Sequence, residues 1–416
     1  MLPRFVHFRR SLQSLPPVDV ENTLRTEWQK LNLANNVAGK NIALGIGSRG
    51  IRHLPLMVKT VAALLHESGA HPFIVPAMGS HGNATAEGQV EVLRDLGITD
   101  SSAGCPIRAT MNTVLIGNTS ENLPAYQDEF AAGADGVILL NRIKPHTSFT
   151  GELESGLHKM LAIGLGKEKA ASLLHAGGPR SLRENMPKVA RYLLEKSNFL
   201  AGFGIVEDAL QNPVAIRGLD KTDMEAGEKE LLALARGLMP SLPLPDWDVV
   251  IVDEMGKDIS GTGMDTHVIG RMRIRGEPEL ESPRIKSLAV LRLTAATHGN
   301  ALGIGLADFT TKEALAAIDF EKTGRNVLTT GNIERGRIPI VCANPREALE
   351  EALRYARRGR SESLGNASVL RIRNTLKLEE FFVSENYVDA IRALPRIEQA
   401  GPPIELQFTS DEWAAA

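Results

Sequence analysis

Asn41-Ile-Ala-Leu-Gly-Ile46 is a short apolar run, and Leu56 to Ser68 then repeats apolar residues at helical spacing. Pro72-Phe-Ile-Val-Pro76 is short and apolar again, and Thr85 to Leu96 is again helical. Short apolar runs read as buried strands and longer periodic stretches as helices, so the alternation predicts successive βα units on a mostly parallel sheet. Working outward, Gly136 to Leu140 is a further strand candidate and Ser181 to Lys196 an amphipathic helix. Leu238 to Trp247 contains Pro240, Pro243 and Pro245 without clear periodicity and marks a connection. After it, Asp248 to Asp253, Arg284 to Leu293 and Ile338 to Cys342 read as strands, with helices at Thr311 to Asp319 and Pro345 to Arg357. The expectation is two α/β domains, residues 1–240 and 241–416, each on a mostly parallel sheet. Sites in such folds collect where strand-end loops converge, so the active site is expected in the cleft between the domains.

Composition narrows the function classes. A chain of 416 residues with 43% hydrophobic and 23% charged residues has ample material for a core. The formal net charge of −3 offers no basic field for nucleic acid. No apolar run is long enough to span a membrane, and the N-terminal residues lack the apolar core of a signal peptide. Cys105 and Cys342, two cysteines without zinc-site spacing, imply no disulfide framework, so a cytoplasmic location is expected.

The chemistry-bearing residues follow predicted strands. Gly45-Ile-Gly47-Ser48-Arg49-Gly50 matches G-x-G-x-x-G, but Arg52-His53-Leu54-Pro55 breaks the run into a helix that a dinucleotide turn requires. Its Arg49 is suited to gripping carboxylate or phosphate. Met78-Gly-Ser-His81-Gly82 places a histidine beside flexible backbone, where a general base belongs. Asn141-Arg-Ile-Lys-Pro145-His146 precedes a loop that contains Glu152, Glu154 and His158 and ends at Lys159. A lysine in a partly apolar loop becomes nucleophilic when desolvation lowers its amine pKa. Lys167 and Lys169 stand nearby as rivals for that role. His175 is a candidate ligand for a transition metal through neutral imidazole. Gly164-Leu-Gly166-Lys167 lacks the spacing and the Ser or Thr of an ATP-binding loop, although its glycines could lie against a phosphate. In the second domain the polar, glycine-rich stretch from Asp253 to Asp265 contains Lys257.

The stretch from Pro145-His146 to Lys159, with a histidine sixteen residues later at His175, resembles the core motif of the lactate racemase family. The resemblance is specific over residues 40 to 180. It implies a 2-hydroxyacid racemase or epimerase with a nickel-pincer nucleotide (pyridinium-3,5-bisthiocarboxylic acid mononucleotide nickel complex) tethered to Lys159, and with nickel bound by His175. It further implies His81 and His146 as acid/bases on opposite faces of the substrate, and Arg49 on the substrate carboxylate. Lys257 occupies the place of a second substrate-facing cation. The implied reaction moves the Cα hydride to the cofactor while one histidine takes the hydroxyl proton, and reverses on the other face. The implied partners are a small 2-hydroxyacid and the enzymes that build the cofactor, with neither nucleic acid nor membrane. Two departures stand out: Ile46 and Gly50 replace the family's Asp and Pro around the arginine, and the loop from His146 to Lys159 is longer. The polarity of that longer loop suggests a larger, hydroxylated substrate. Two other readings remain open on the residues alone. One is a zinc hydrolase or lyase using His81, His146 and His175, and the other a non-catalytic module binding nucleotide or carboxylate through Arg49.

Overall fold

The computed structural model describes residues 2–12, 14–359 and 363–413. The chain forms two compact units, one of residues 14–239 and one from 240 onward that also contains the first strand. That strand, β1 (Phe5–Arg10), corrects the expected assignment of residues 1–240 to a single domain. Phe5, Val6 and Phe8 are buried, and their natural partners are apolar strands near the other end of the chain.

The unit of residues 14–239 is built on β2 (Asn41–Ile46), β3 (His71–Pro76), β6 (Gly136–Arg142), β7 (Phe199–Glu207) and β8 (Pro213–Asp220), in the order β3-β2-β6-β7-β8. All neighbours are parallel except β7 and β8. A hairpin of β4 (Thr113–Asn118) and β5 (Pro124–Asp128) stands apart from this sheet. Side chains alternate across a strand, and here both faces are apolar. Ala43, Val75, Val137 and Leu139 pack under the helices Gly178–Lys196 and Met224–Gly237. Ile42, Leu44, Ile74 and Ile138 pack under the helices Val20–Lys30 and Leu54–Glu67. The helix expected from Thr85 spans Ala86–Asp95, with the Thr85 hydroxyl accepting the Gly88 N–H at its start.

From β2 the chain moves to β3 on one side and later crosses to β6 on the other. The carboxyl ends of β2 and β6 therefore flank a topological switch point, where α/β folds bind ligands.

The other unit holds an eight-stranded sheet of β1, β9 (Asp246–Met255), β10 (Arg284–Leu293), β11 (Phe309–Thr311), β12 (Ile340–Cys342), β13 (Val369–Ile372), β14 (Glu380–Ser384) and β15 (Ile397–Gln399). Its order is β12-β11-β10-β9-β13-β14-β1-β15, parallel through β13 and antiparallel thereafter. The α/β class with mostly parallel sheets is thus present in both units. Among the described residues no helix is long and apolar enough to cross a membrane.

Candidate active site

Three loops leave the aligned carboxyl ends of β2, β3 and β6, and they carry Arg49, His81 and His146 respectively. The loop after β2 packs closely: a side chain on Gly47 would put its Cβ 3.3 Å from the Asn141 amide oxygen. The helix after this loop begins only at Leu54, past His53 in a left-handed conformation, so the glycine run does not open directly into a helix. Arg49 itself is exposed. Its guanidinium is nevertheless held below the usual range, first by crowding from surrounding protein and then by the charge of Arg142. Arg142 is paired with Glu207.

The loop after β3 is tied down from beneath. The buried Gln89 donates its amide to the carbonyls of Gly79 at 2.9 Å and His81 at 3.2 Å. Its amide oxygen accepts from the Lys167 ammonium at 2.9 Å, and Lys167 also donates to the Pro76 carbonyl and pairs with Asp128 at 3.1 Å. Gly79 donates to the Gly164 carbonyl at 3.1 Å in a left-handed conformation (φ +60°) that glycine adopts without cost. The His81 ring is exposed, and its Nδ1 is hydrogen-bonded to the Ser48 hydroxyl. The loops carrying Arg49 and His81 are therefore joined at their tips.

The third loop closes on itself through paired backbone hydrogen bonds between Lys144 and Ser155. Glu154, 1% exposed, accepts from the backbone N–H groups of His146 (2.5 Å) and Gly151 (2.9 Å) and pairs with Arg236 at 2.6 Å. The His146 ring lies 4.5 Å from the Phe149 ring. His158 is fully buried, with its Nδ1 2.8 Å and its backbone N–H 3.0 Å from a Glu228 oxygen. Glu152 pairs with Lys229 at 2.7 Å. Glu154 and His158 Nδ1 in this longer loop are thus engaged in bracing within the unit, while Glu152 remains largely exposed.

Lys159 ends a short helical turn, and a π-helical turn, Met160–Gly164, joins it to the helix Lys167–Ala176 that carries His175 in its last turn. Such π-turns are uncommon and concentrate at functional sites. Gly164 and Gly166 belong to this packing: Cβ atoms there would lie 2.7 Å from the Ala77 carbonyl oxygen and 2.3 Å from Ala170. Both glycines are buried against protein, so they do not form a phosphate cradle.

The Lys159 amine sits 2.7 Å from His146 Nε2. Burial, then the charges of Arg49 and Lys144, lower its pKa to about 7, so a large share of the amine is neutral and nucleophilic near neutral pH. Burial and the nearby Lys159 charge lower His175 to about 4, leaving a neutral imidazole able to bind a metal. Arg49, Lys144, His146, Lys159 and His175 thus converge electrostatically on one region, which suits an anionic ligand. Sequence reasoning missed Ser48, Lys144, Gln89 and Glu228. Of these, only Lys144 carried a signal, as a cation within the quoted motif.

Among the described residues no group of three or more His, Cys, Asp or Glu side chains is arranged to hold a metal ion. The zinc reading, which needs His81, His146 and His175 together, therefore lacks its ligand set. Lys257 belongs to the other unit, where its ammonium donates to the Gly261 carbonyl at 2.6 Å. Asp253, in the same polar stretch, is buried and pairs with Arg371 at 2.7 Å.

No protein-family model matches the chain, and no curated protein matches it by sequence. Among solved structures it is similar to the lactate racemase apoprotein from Thermoanaerobacterium thermosaccharolyticum, with a TM-score of 0.55 at 13% sequence identity. The match covers 89% of this chain and 98% of that one, and at this identity it shows a shared fold.

Proposed function

We propose that the protein belongs to the lactate racemase family and is a 2-hydroxyacid racemase or epimerase, with a nickel-pincer nucleotide attached to Lys159 and its nickel bound by His175. The observation that carries this reading is the Lys159 amine, lowered to about 7 beside His146 and a neutral His175, on the fold of a lactate racemase. The residues fit the group: a nucleophilic amine for attachment, an imidazole for the metal, and Arg49 and Lys144 to balance a phosphate or carboxylate. The enzymes that build the nucleotide are the implied partners.

When bound, the nucleotide would supply reversible acceptance of a hydride from Cα; the protein supplies orientation and proton transfer. Arg49 grips the substrate carboxylate so that Cα presents its two faces. His81 and His146, on loops from different strands, exchange the 2-hydroxyl proton. One removes it as Cα becomes planar, and the other returns a proton when the opposite face is reduced. Ser48 on His81 Nδ1 and the Ser148 backbone N–H on His146 Nδ1 orient the two rings.

The test is a panel of 2-hydroxyacids labelled with deuterium at Cα and followed in ordinary water. Inversion with the label retained is expected. Inversion with rapid loss of the label to solvent would show proton abstraction at Cα and overturn the proposed chemistry.

A further inference from the structure

The hydrogen bond between His146 and Lys159 has a direction that valence decides. The Ser148 backbone N–H donates to His146 Nδ1 at 3.0 Å, so Nδ1 carries a lone pair and no proton. A neutral imidazole must then bear its proton on Nε2, the atom 2.7 Å from the Lys159 amine. Nε2 is the donor and the Lys159 nitrogen the acceptor, which requires a neutral amine. The reverse assignment, an ammonium donating to Nε2, leaves the ring with no proton on either nitrogen. The loop supports this geometry: Glu154 holds the His146 backbone N–H, Phe149 packs against the ring, and Glu228 fixes the turn that presents Lys159.

We propose that His146 is parked on Lys159 in the unloaded protein and that acylation of Lys159 releases its Nε2–H toward substrate. Acylation by an activated acyl donor forms a C–N bond and breaks the bond to the leaving group, which departs with its electron pair. The displaced amine proton passes to solvent. The amide nitrogen so formed has its lone pair delocalised and no longer accepts a hydrogen bond, while its remaining N–H faces Nε2–H unfavourably. Attachment of a group to Lys159 and availability of the second acid/base are thereby coupled. The identity of the physiological acyl group rests on the function proposed above, but the coupling itself does not.

The experiment uses the full chain without cofactor. Lys159 is acetylated with an N-hydroxysuccinimide ester of acetic acid, and Lys159→Met is prepared in parallel. Carbethoxylation of His146 and His81 by diethyl pyrocarbonate is then followed by peptide mass spectrometry. The reagent attacks the ring nitrogen that holds the lone pair, here Nδ1, which donation of Nε2–H to the amine makes more nucleophilic; loss of that hydrogen bond predicts His146 reacting about fivefold slower in both modified proteins, with His81 unchanged. Ser148→Pro removes the N–H that sets the tautomer, and it should raise His146 reactivity with Lys159 intact. His146 rates unchanged in the acetylated protein and in Lys159→Met would overturn the proposal. Because no cofactor is present, that result is distinct from failure to find a nucleotide on Lys159 after co-expression, which bears on the proposed function alone.

Discussion

Lys159 and Lys167 lie two helical turns apart, both with the amine enclosed by protein, and their surroundings differ in sign. Lys167 meets Asp128, the Pro76 carbonyl and the Gln89 amide oxygen, so its charge is compensated and it clamps the loop that carries His81. Lys159 meets His146 and the charges of Arg49 and Lys144, and no ion pair joins it to a carboxylate among the described residues. Burial lowers both amines, but in Lys167 the carboxylate opposes the shift, whereas in Lys159 the neighbouring cations deepen it. Enclosure alone does not choose a lysine's role; the sign of what encloses it does.

The comparison breaks if the two lysines respond alike to removal. Lys167→Met leaves Asp128 buried without its cation, and chemical denaturation should show a loss of about 3–5 kcal/mol. The double variant Lys167→Met with Asp128→Asn should recover much of that loss; an undiminished deficit would mean the pair is not what holds the loop. Next in size, Glu154→Ala strips the His146 and Gly151 N–H groups of their acceptor, for about 2 kcal/mol of stability. Activity should fall with it, because His146 loses its fixed position.

Lys159→Met should act in the opposite direction and stabilise the fold at pH 7 by about 1 kcal/mol, a figure discounted for residual solvent around the amine. The folded amine titrates at about 7 and the unfolded one near 10.5. Between those values the unfolded chain holds more protons, so wild-type stability climbs with pH across that window. The variant's advantage should therefore be full below about pH 7 and fade as pH approaches 10. Thermal unfolding at several pH values checks this, and a constant difference would remove the charge argument. The smallest effect concerns His175, whose folded pKa of about 4 lies below its ordinary 6.5. Relative to His175→Leu, the wild type should lose stability as pH falls from about 6.5 to 4, and show no such difference above that range.

The βα alternation that opens the first sheet was legible because apolar runs such as Asn41–Ile46 and His71–Pro76 alternate with periodic helices, whereas β7 and β8 were not read. β1 was not, since six residues at a chain end say nothing of strands about 370 positions later. The residues Arg49, His81, His146, Lys159 and His175 stood out because strand ends, glycines and spacing are local features. Their supports did not: Glu228 lies 70 residues from His158, and Gln89 lies 78 from Lys167. Contacts made only by folding leave no mark in local pattern. The same limit explains why Glu154 and His158 looked available to substrate, when each is occupied inside its own unit.

Intact-mass spectrometry with nickel quantification decides whether Lys159 carries the nucleotide, on protein co-expressed with the nickel-pincer biosynthetic enzymes and on Lys159→Ala prepared identically. Attachment at Lys159 predicts a nucleotide-sized adduct with nickel in the wild type and its loss in the variant. Wild-type protein of unmodified mass and without nickel, or an adduct that survives in Lys159→Ala, would contradict it.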